Sequence, residues 1–335
     1  MEFVYLAGLP RSGSTLLCNI LSMYPGVEAT PSSPLCNMLS AMRRTWSDDP
    51  FLLGQLDHNL DEMHQRLVAA TRGFMLGFHS NTQADILVDK NRGWLGCVET
   101  LRVLQPNFKM ILTIRDLRDI YASVERRHRN TLMLEFPDHM EQNLVDVRAS
   151  QLMADNGVIG GVWRSMYNLG DVLDIMGHIY VWRYEDFLLD PYASMESLSS
   201  WLGVGATISL ENIPQSTYES DSHYRQKYSH RVNSSITPPS YSSNPDVKAK
   251  FGIPDTSDYF SPRILNMVME RFADYYRTYY PEVIGETMVN SENFDAAANG
   301  GIVNDVPQSH VNLADSIAES VRQETANDTS PESEL

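Results

Sequence analysis

Phe3-Val4-Tyr5-Leu6-Ala7-Gly8-Leu9-Pro10-Arg11-Ser12-Gly13-Ser14-Thr15-Leu16-Leu17 is the stretch that decides the fold. It opens as an apolar, β-prone run, which reads as a buried strand. A tight turn follows, with glycines at 8 and 13. Ser14-Thr15 then leads into a helical run from Leu16 to Met23. Strand, phosphate-sized loop and helix N-terminus occur in that order. Successive backbone N–H groups and the positive end of the helix suit a phosphate or sulfate.

The loop is similar to the Walker A pattern GxxxxGK[ST], with Gly8 and Gly13 in the glycine places. Ser14 stands where the lysine belongs. That lysine normally reaches the β- and γ-phosphates of a nucleoside triphosphate. Its loss argues against ordinary ATP or GTP hydrolysis. Arg11, earlier in the loop, supplies a cation instead, so an anion of another shape is expected.

A second strand, Phe108 to Ile114, ends in Arg115-Asp116-Leu117-Arg118-Asp119 and passes into a helix. Ser123 lies two turns along that helix and Arg127 one turn further on the same face. A guanidinium and a hydroxyl at this separation can hold one phosphate from two sides. A third strand, Ile86-Leu87-Val88, runs into Asp89-Lys90-Asn91-Arg92. A fourth, Ile179 to Arg183, runs into Tyr184-Glu185-Asp186-Phe187.

These segments together resemble the sulfotransferases that use 3′-phosphoadenosine 5′-phosphosulfate (PAPS). Gly-Leu-Pro-Arg-Ser-Gly-Ser-Thr resembles their 5′-phosphosulfate loop, in the form of the tyrosylprotein and bacterial-type branches. The resemblance implies a P-loop-type three-layer α/β sandwich with a mostly parallel sheet and helical insertions. It implies that Arg11, Ser12, Gly13, Ser14 and Thr15 hold the 5′-phosphosulfate. Arg115 and Ser123, joined by Arg127, would hold the 3′-phosphate. Lys90 would stabilise charge on the bridging oxygen as the bond to the sulfonate breaks. Tyr184 would lie near the adenosine, and Lys227, in Ser222-His223-Tyr224-Arg225-Gln226-Lys227, would close over it. The implied donor is PAPS, its product is 3′,5′-diphosphoadenosine (PAP), and no metal is called for.

The general base is the weak point of the match. In the tyrosylprotein branch a glutamate lies 21 residues after the loop arginine, a count that lands here on Ser32. Glu28 is the expected base, with His79 and Asp89 as alternatives; the cytosolic branch's histidine place falls near Arg92. Three functional readings therefore stand: sulfuryl transfer to a hydroxyl or amine, a P-loop kinase-like phosphotransferase, and a non-catalytic nucleotide-binding protein. The acceptor is a small molecule, glycan, lipid or peptide.

Composition sets the frame. The chain has 335 residues and a formal net charge of −17. Residues 286–335 hold ten Asp/Glu against Arg322, a net −9, in an Asn/Ser/Ala/Gly-rich context. That segment reads as a mostly disordered acidic tail, leaving 1–285 as the folded domain. Such acidity argues against nucleic acid as a partner. The sequence holds no run long enough to span a bilayer and opens directly into a strand, so a cytoplasmic enzyme is expected. Cys18, Cys36 and Cys97 have no paired or metal-type spacing; two fall on helical patterns, where a buried thiol is the usual explanation, so neither disulfides nor zinc are expected. Strands are expected at 2–7, 85–89, 108–114 and 178–183, helices over 34–76, 117–176 and 262–279, and a long loop over 214–258.

Overall fold

A computed structural model describes residues 1–131, 144–169, 177–211, 213–214, 259 and 261–284, with side chains given to 126 in the first of these spans. The compact unit is Met1–Thr278; a second unit runs from Tyr279 to Leu335. The tail expected from 286, residues 215–258 of the loop expected over 214–258, and with them Lys227, lie outside the described residues.

Five strands form one sheet: β1 (Glu2–Gly8), β2 (Val27–Thr30), β3 (Ile86–Lys90), β4 (Lys109–Ile114) and β5 (Ile179–Arg183). Their order is β2-β3-β1-β4-β5, and every pairing is parallel. The near-continuous apolar runs of β1 and β4 are explained by this: parallel strands are covered by helices on both faces. β1 sits at the centre, and the chain crosses it between β3 and β4. That makes the carboxyl end of β1 the topological switch point, where open parallel sheets bind ligands.

β2 is an element the sequence reading missed. Val27-Glu28-Ala29-Thr30 is short, half-exposed and only weakly apolar, so periodicity gives it no signal. It exists because it pairs with β3, from Val27 opposite Ile86 to Thr30 opposite Asp89.

α1 (Ser14–Leu21) packs on the face that presents Val4, Leu6, Val88, Ile111 and Trp182. α9 (Tyr184–Leu189) and α10 (Pro191–Leu202) share that cluster through Phe187, Leu198 and Leu202. The opposite face carries Tyr5, whose ring meets Trp94 at 4.8 Å. Trp94 belongs to a 3-10 turn, Arg92–Cys97, that leads into α5 (Val98–Leu104). The layers are therefore helix, sheet, helix, as the resemblance implies.

The expected helical stretch over 34–76 is three helices: α2 (Leu35–Asp48), α3 (Pro50–His58) and α4 (Leu60–Phe78). Asp49 and Asn59 break it by capping the next helix, accepting from the N–H groups of Leu52 and Glu62. The stretch from 117 likewise divides into α6 (Leu117–Thr131), α7 (Val145–Met153) and α8 (Gly160–Leu169). α11 (Pro262–Arg271) and α12 (Ala273–Tyr279) divide the expected closing helix.

Candidate functional site

The loop after β1 leads into α1 without a side-chain cap for the helix's first-turn N–H groups. Gly13 is the N-cap of α1 with φ of 83°, and no side chain caps the helix or places an acid in its first turn. Its first-turn donors keep the demand for an anion. A Cβ at Gly13 would lie 2.6 Å from Tyr184 Cδ2, so only glycine fits there. Ser12 is fully buried: its hydroxyl lies 2.6 Å from the Leu9 carbonyl oxygen and 2.7 Å from Thr113 Oγ1. Thr113 Oγ1 in turn donates to the Ala7 carbonyl at 3.2 Å. Ser12 thus fastens the loop to β4. Thr113, which the sequence reading passed over, is the other half of that fastening.

Arg11 has a left-handed backbone, φ 60°, which costs a non-glycine residue about 1–2 kcal/mol. Two contacts hold it there. Its Nε donates to Ser123 Oγ at 3.2 Å, and its carbonyl accepts from Arg115 Nη1 at 3.2 Å. The two halves of the motif, 112 residues apart in sequence, therefore meet at Arg11.

Arg115 is 7% exposed and stacks over the Tyr184 ring, 4.4 Å from its centroid. Its Nη2 is 3.6 Å from Asp119 Oδ2. Burial pushes the Asp119 carboxyl up, against the pull of the Arg115 charge. Arg115 Nε is buried and has no hydrogen-bond partner. A buried guanidinium N–H left open beside a second arginine and a buried serine is the arrangement an oxyanion completes. Tyr184 lies beneath the loop, buried between Gly13 and Arg115. Ser14 is half-buried and Thr15 exposed at the helix start. Arg127 is on α6, one turn past Ser123; its side chain is not described.

Lys90 ends β3 opposite Leu6 of β1. Strand alternation puts it on the face of Val88, the α1 side. There its charge acts on Cys18 of α1: burial pushes that thiol up to about 12, with Lys90 pulling the other way. Asp89 points to the opposite face. It is fully buried, accepting from Trp94 Nε1 at 2.8 Å and lying 3.1 Å from His79 Nε2. Asp89 and His79 are thus bound to each other under the sheet, away from the loop.

Glu28 is not brought to the loop. It sits on the edge strand β2 opposite Leu87, three positions short of Lys90, or about 10 Å along the strand. It is exposed and accepts a hydrogen bond from Thr82 Oγ1. Ser33 is closer: its N–H donates to the Lys90 carbonyl at 3.1 Å, and its own carbonyl accepts from Asn91 Nδ2 at 2.7 Å. The segment after β2 therefore borders Lys90.

Residues 4–207 match the model of the sulfotransferase family. The chain belongs to that family. Among its relatives, protein-tyrosine sulfotransferase 2 of Gallus gallus is 30% identical over 133 residues, 38% of this chain and 35% of that protein. Protein-tyrosine sulfotransferase 1 of Danio rerio is 27% identical over 133 residues, 38% of this chain and 36% of that one. This chain thus spans about a third of the length of the curated relatives it matches. A solved structure of mouse sulfotransferase SULT7A1 complexed with PAP aligns with 87% of this chain and 89% of its own, at 15% identity and a TM-score of 0.45. Among the described residues, no group of His, Cys, Asp and Glu is placed to hold a metal ion. No helix among them is long and apolar enough to cross a membrane.

Proposed function

We propose that this sulfotransferase-family chain moves a sulfuryl group from PAPS to a hydroxyl acceptor. The observation that carries the reading is the meeting of Arg11, Arg115 and Ser123, with Arg115 Nε buried and open. In this reading Arg115 and Ser123, extended by Arg127, take the 3′-phosphate. Arg11 and the N–H groups of residues 12–15 take the 5′-phosphosulfate. Lys90, on the same face at the next strand end, offsets the charge that develops on the leaving phosphate oxygen. Side-chain cations and backbone dipoles supply all of the positive charge in this scheme.

The relatives' names make a tyrosine hydroxyl the first acceptor to try, ahead of glycan, lipid or small-alcohol acceptors. Glu28 receives no role, because its carboxylate is engaged by Thr82 at the sheet edge. Cytoplasmic residence belongs to the same reading, supported by a cysteine content of three in 335 residues.

The test is calorimetric titration with PAP, AMP and Mg-ATP. Tight binding of PAP with much weaker binding of AMP is the expected result. Binding of Mg-ATP as tight as PAP would overturn the reading in favour of a phosphotransferase.

A further inference from the structure

Cys36 and Cys97 stand 61 residues apart in sequence, and their Sγ atoms are 3.7 Å apart. Cys36 lies in the first turn of α2; Cys97 ends the 3-10 turn that follows Lys90. The packing around them is specific. A Cβ at Gly93 would lie 2.8 Å from Cys36 Sγ, so the glycine makes room for the thiol. Ser40, one turn along α2, places its hydroxyl 3.9 Å from Cys97 Sγ. Arg43, on the same face of α2, donates to Thr100 Oγ1 at 3.0 Å and locks α2 to the start of α5. Cys36 is buried and Cys97 half-exposed, so an oxidant in solution meets Cys97 first.

We infer that Cys36 and Cys97 form a reversible redox site, oxidised to a disulfide by a hydroperoxide. Cys97 attacks first, as thiolate: its sulfur takes one peroxide oxygen, the O–O bond breaks and water leaves after protonation. The Cys36 thiol then attacks the Cys97 sulfenic sulfur, forming the S–S bond and releasing a second water. Two thiols are oxidised and one hydroperoxide is reduced to water (or to water and an alcohol). The hydrogen bond with Cys36 lowers the Cys97 thiol against the opposing effect of burial, with help from Ser40 and the charge of Arg43, while the same pairing and burial hold Cys36 up. Exposure sets the order of attack: Cys97 is the accessible sulfur and Cys36 the buried one that resolves it. Cys18, buried in α1 and pushed up to about 12, serves as an internal control that stays reduced. The bond would tie α2 to the turn after Lys90, fixing both segments that leave the carboxyl ends of β2 and β3.

The experiment treats the full-length protein with a small excess of hydrogen peroxide and follows free thiols, intact mass and non-reducing peptide maps. The expected result is loss of two of three thiols, a Cys36–Cys97 linked peptide, and full reversal by dithiothreitol. The melting temperature should rise by roughly 5–10 °C on oxidation. In C36S, a sulfenic-acid probe should label residue 97, and in C97S no disulfide should form. Three thiols remaining after peroxide treatment, or a link involving Cys18, would overturn the proposal. Neither outcome depends on sulfuryl transfer, so the two readings fail separately.

Discussion

Arg115 carries the sharpest single-residue test. Its guanidinium binds the Arg11 carbonyl, faces Asp119 and keeps Nε open in a buried position. A charge-assisted hydrogen bond to phosphate contributes about 1.5–3 kcal/mol. Arg115→Ala should therefore weaken PAP by roughly 10–150-fold. AMP, lacking the 3′-phosphate, should bind within a few-fold of wild type, which separates a lost contact from a collapsed loop. Equal losses for both nucleotides would show that Arg115 only supports the fold. Lys90 makes the complementary case. It needs to act only as charge develops, so Lys90→Ala should lower turnover by roughly 10²–10³-fold with PAP affinity nearly unchanged. Loss of PAP affinity in proportion would instead make Lys90 a ground-state anchor. Arg11, Ser12, Gly13, Arg115 and Ser123 stand out in the sequence as candidates because their chemistry is local: glycines for a tight turn, cations and hydroxyls at strand ends. Their supports do not. Thr113 under Ser12 is an ordinary strand threonine until β1 and β4 pair. Asp89 is a base candidate by composition alone, and strand alternation turns it to the face opposite Lys90, where Trp94 binds it.

At the scale of elements, the parallel α/β sheet was readable from four apolar runs, each ending in polar residues. β2 and the breaks between α2, α3 and α4 were not. β2 is specified by its partner rather than by its own composition, and the helix breaks are set by capping at Asp49 and Asn59, which a continuous apolar periodicity hides. The join between α6 and α7 rests on a pair no local pattern could foretell. Glu125 is fully buried, and its carboxylate accepts from Arg148 Nη2 at 2.5 Å and Nε at 3.2 Å. Breaking such a pair on one side leaves a buried charge without its counterpart. Glu125→Gln should cost about 3–5 kcal/mol, read as a lower urea midpoint with an unchanged slope. Replacing both residues together, as E125L/R148M, should recover most of that loss, because desolvation of two ions is removed along with their attraction. If the double variant is as unstable as the single, the pair holds the helices by specific geometry and not by charge balance.

Across the whole molecule, charge is distributed against the chemistry proposed for it. A donor with several phosphate-type charges must reach a cationic loop on a chain of net −17. Over half of that excess, −9, lies in residues 286–335, which hold ten acids and Arg322. Long-range repulsion of this kind acts on association rate and is screened over a Debye length of about 10 Å at 0.1 M salt. We propose that this segment is separable from the domain that binds nucleotide. Truncation after Gly285 should leave the melting temperature within about 2 °C and the PAP dissociation rate unchanged, since no residue assigned to the phosphates is removed. The association rate, measured by stopped flow, should rise by roughly two- to fivefold at about 10 mM salt and by almost nothing at about 0.5 M. A rise that survives high salt would mean that the segment blocks the site sterically. A fall in melting temperature of several degrees would mean that it belongs to the fold, and the domain would then extend beyond residue 285.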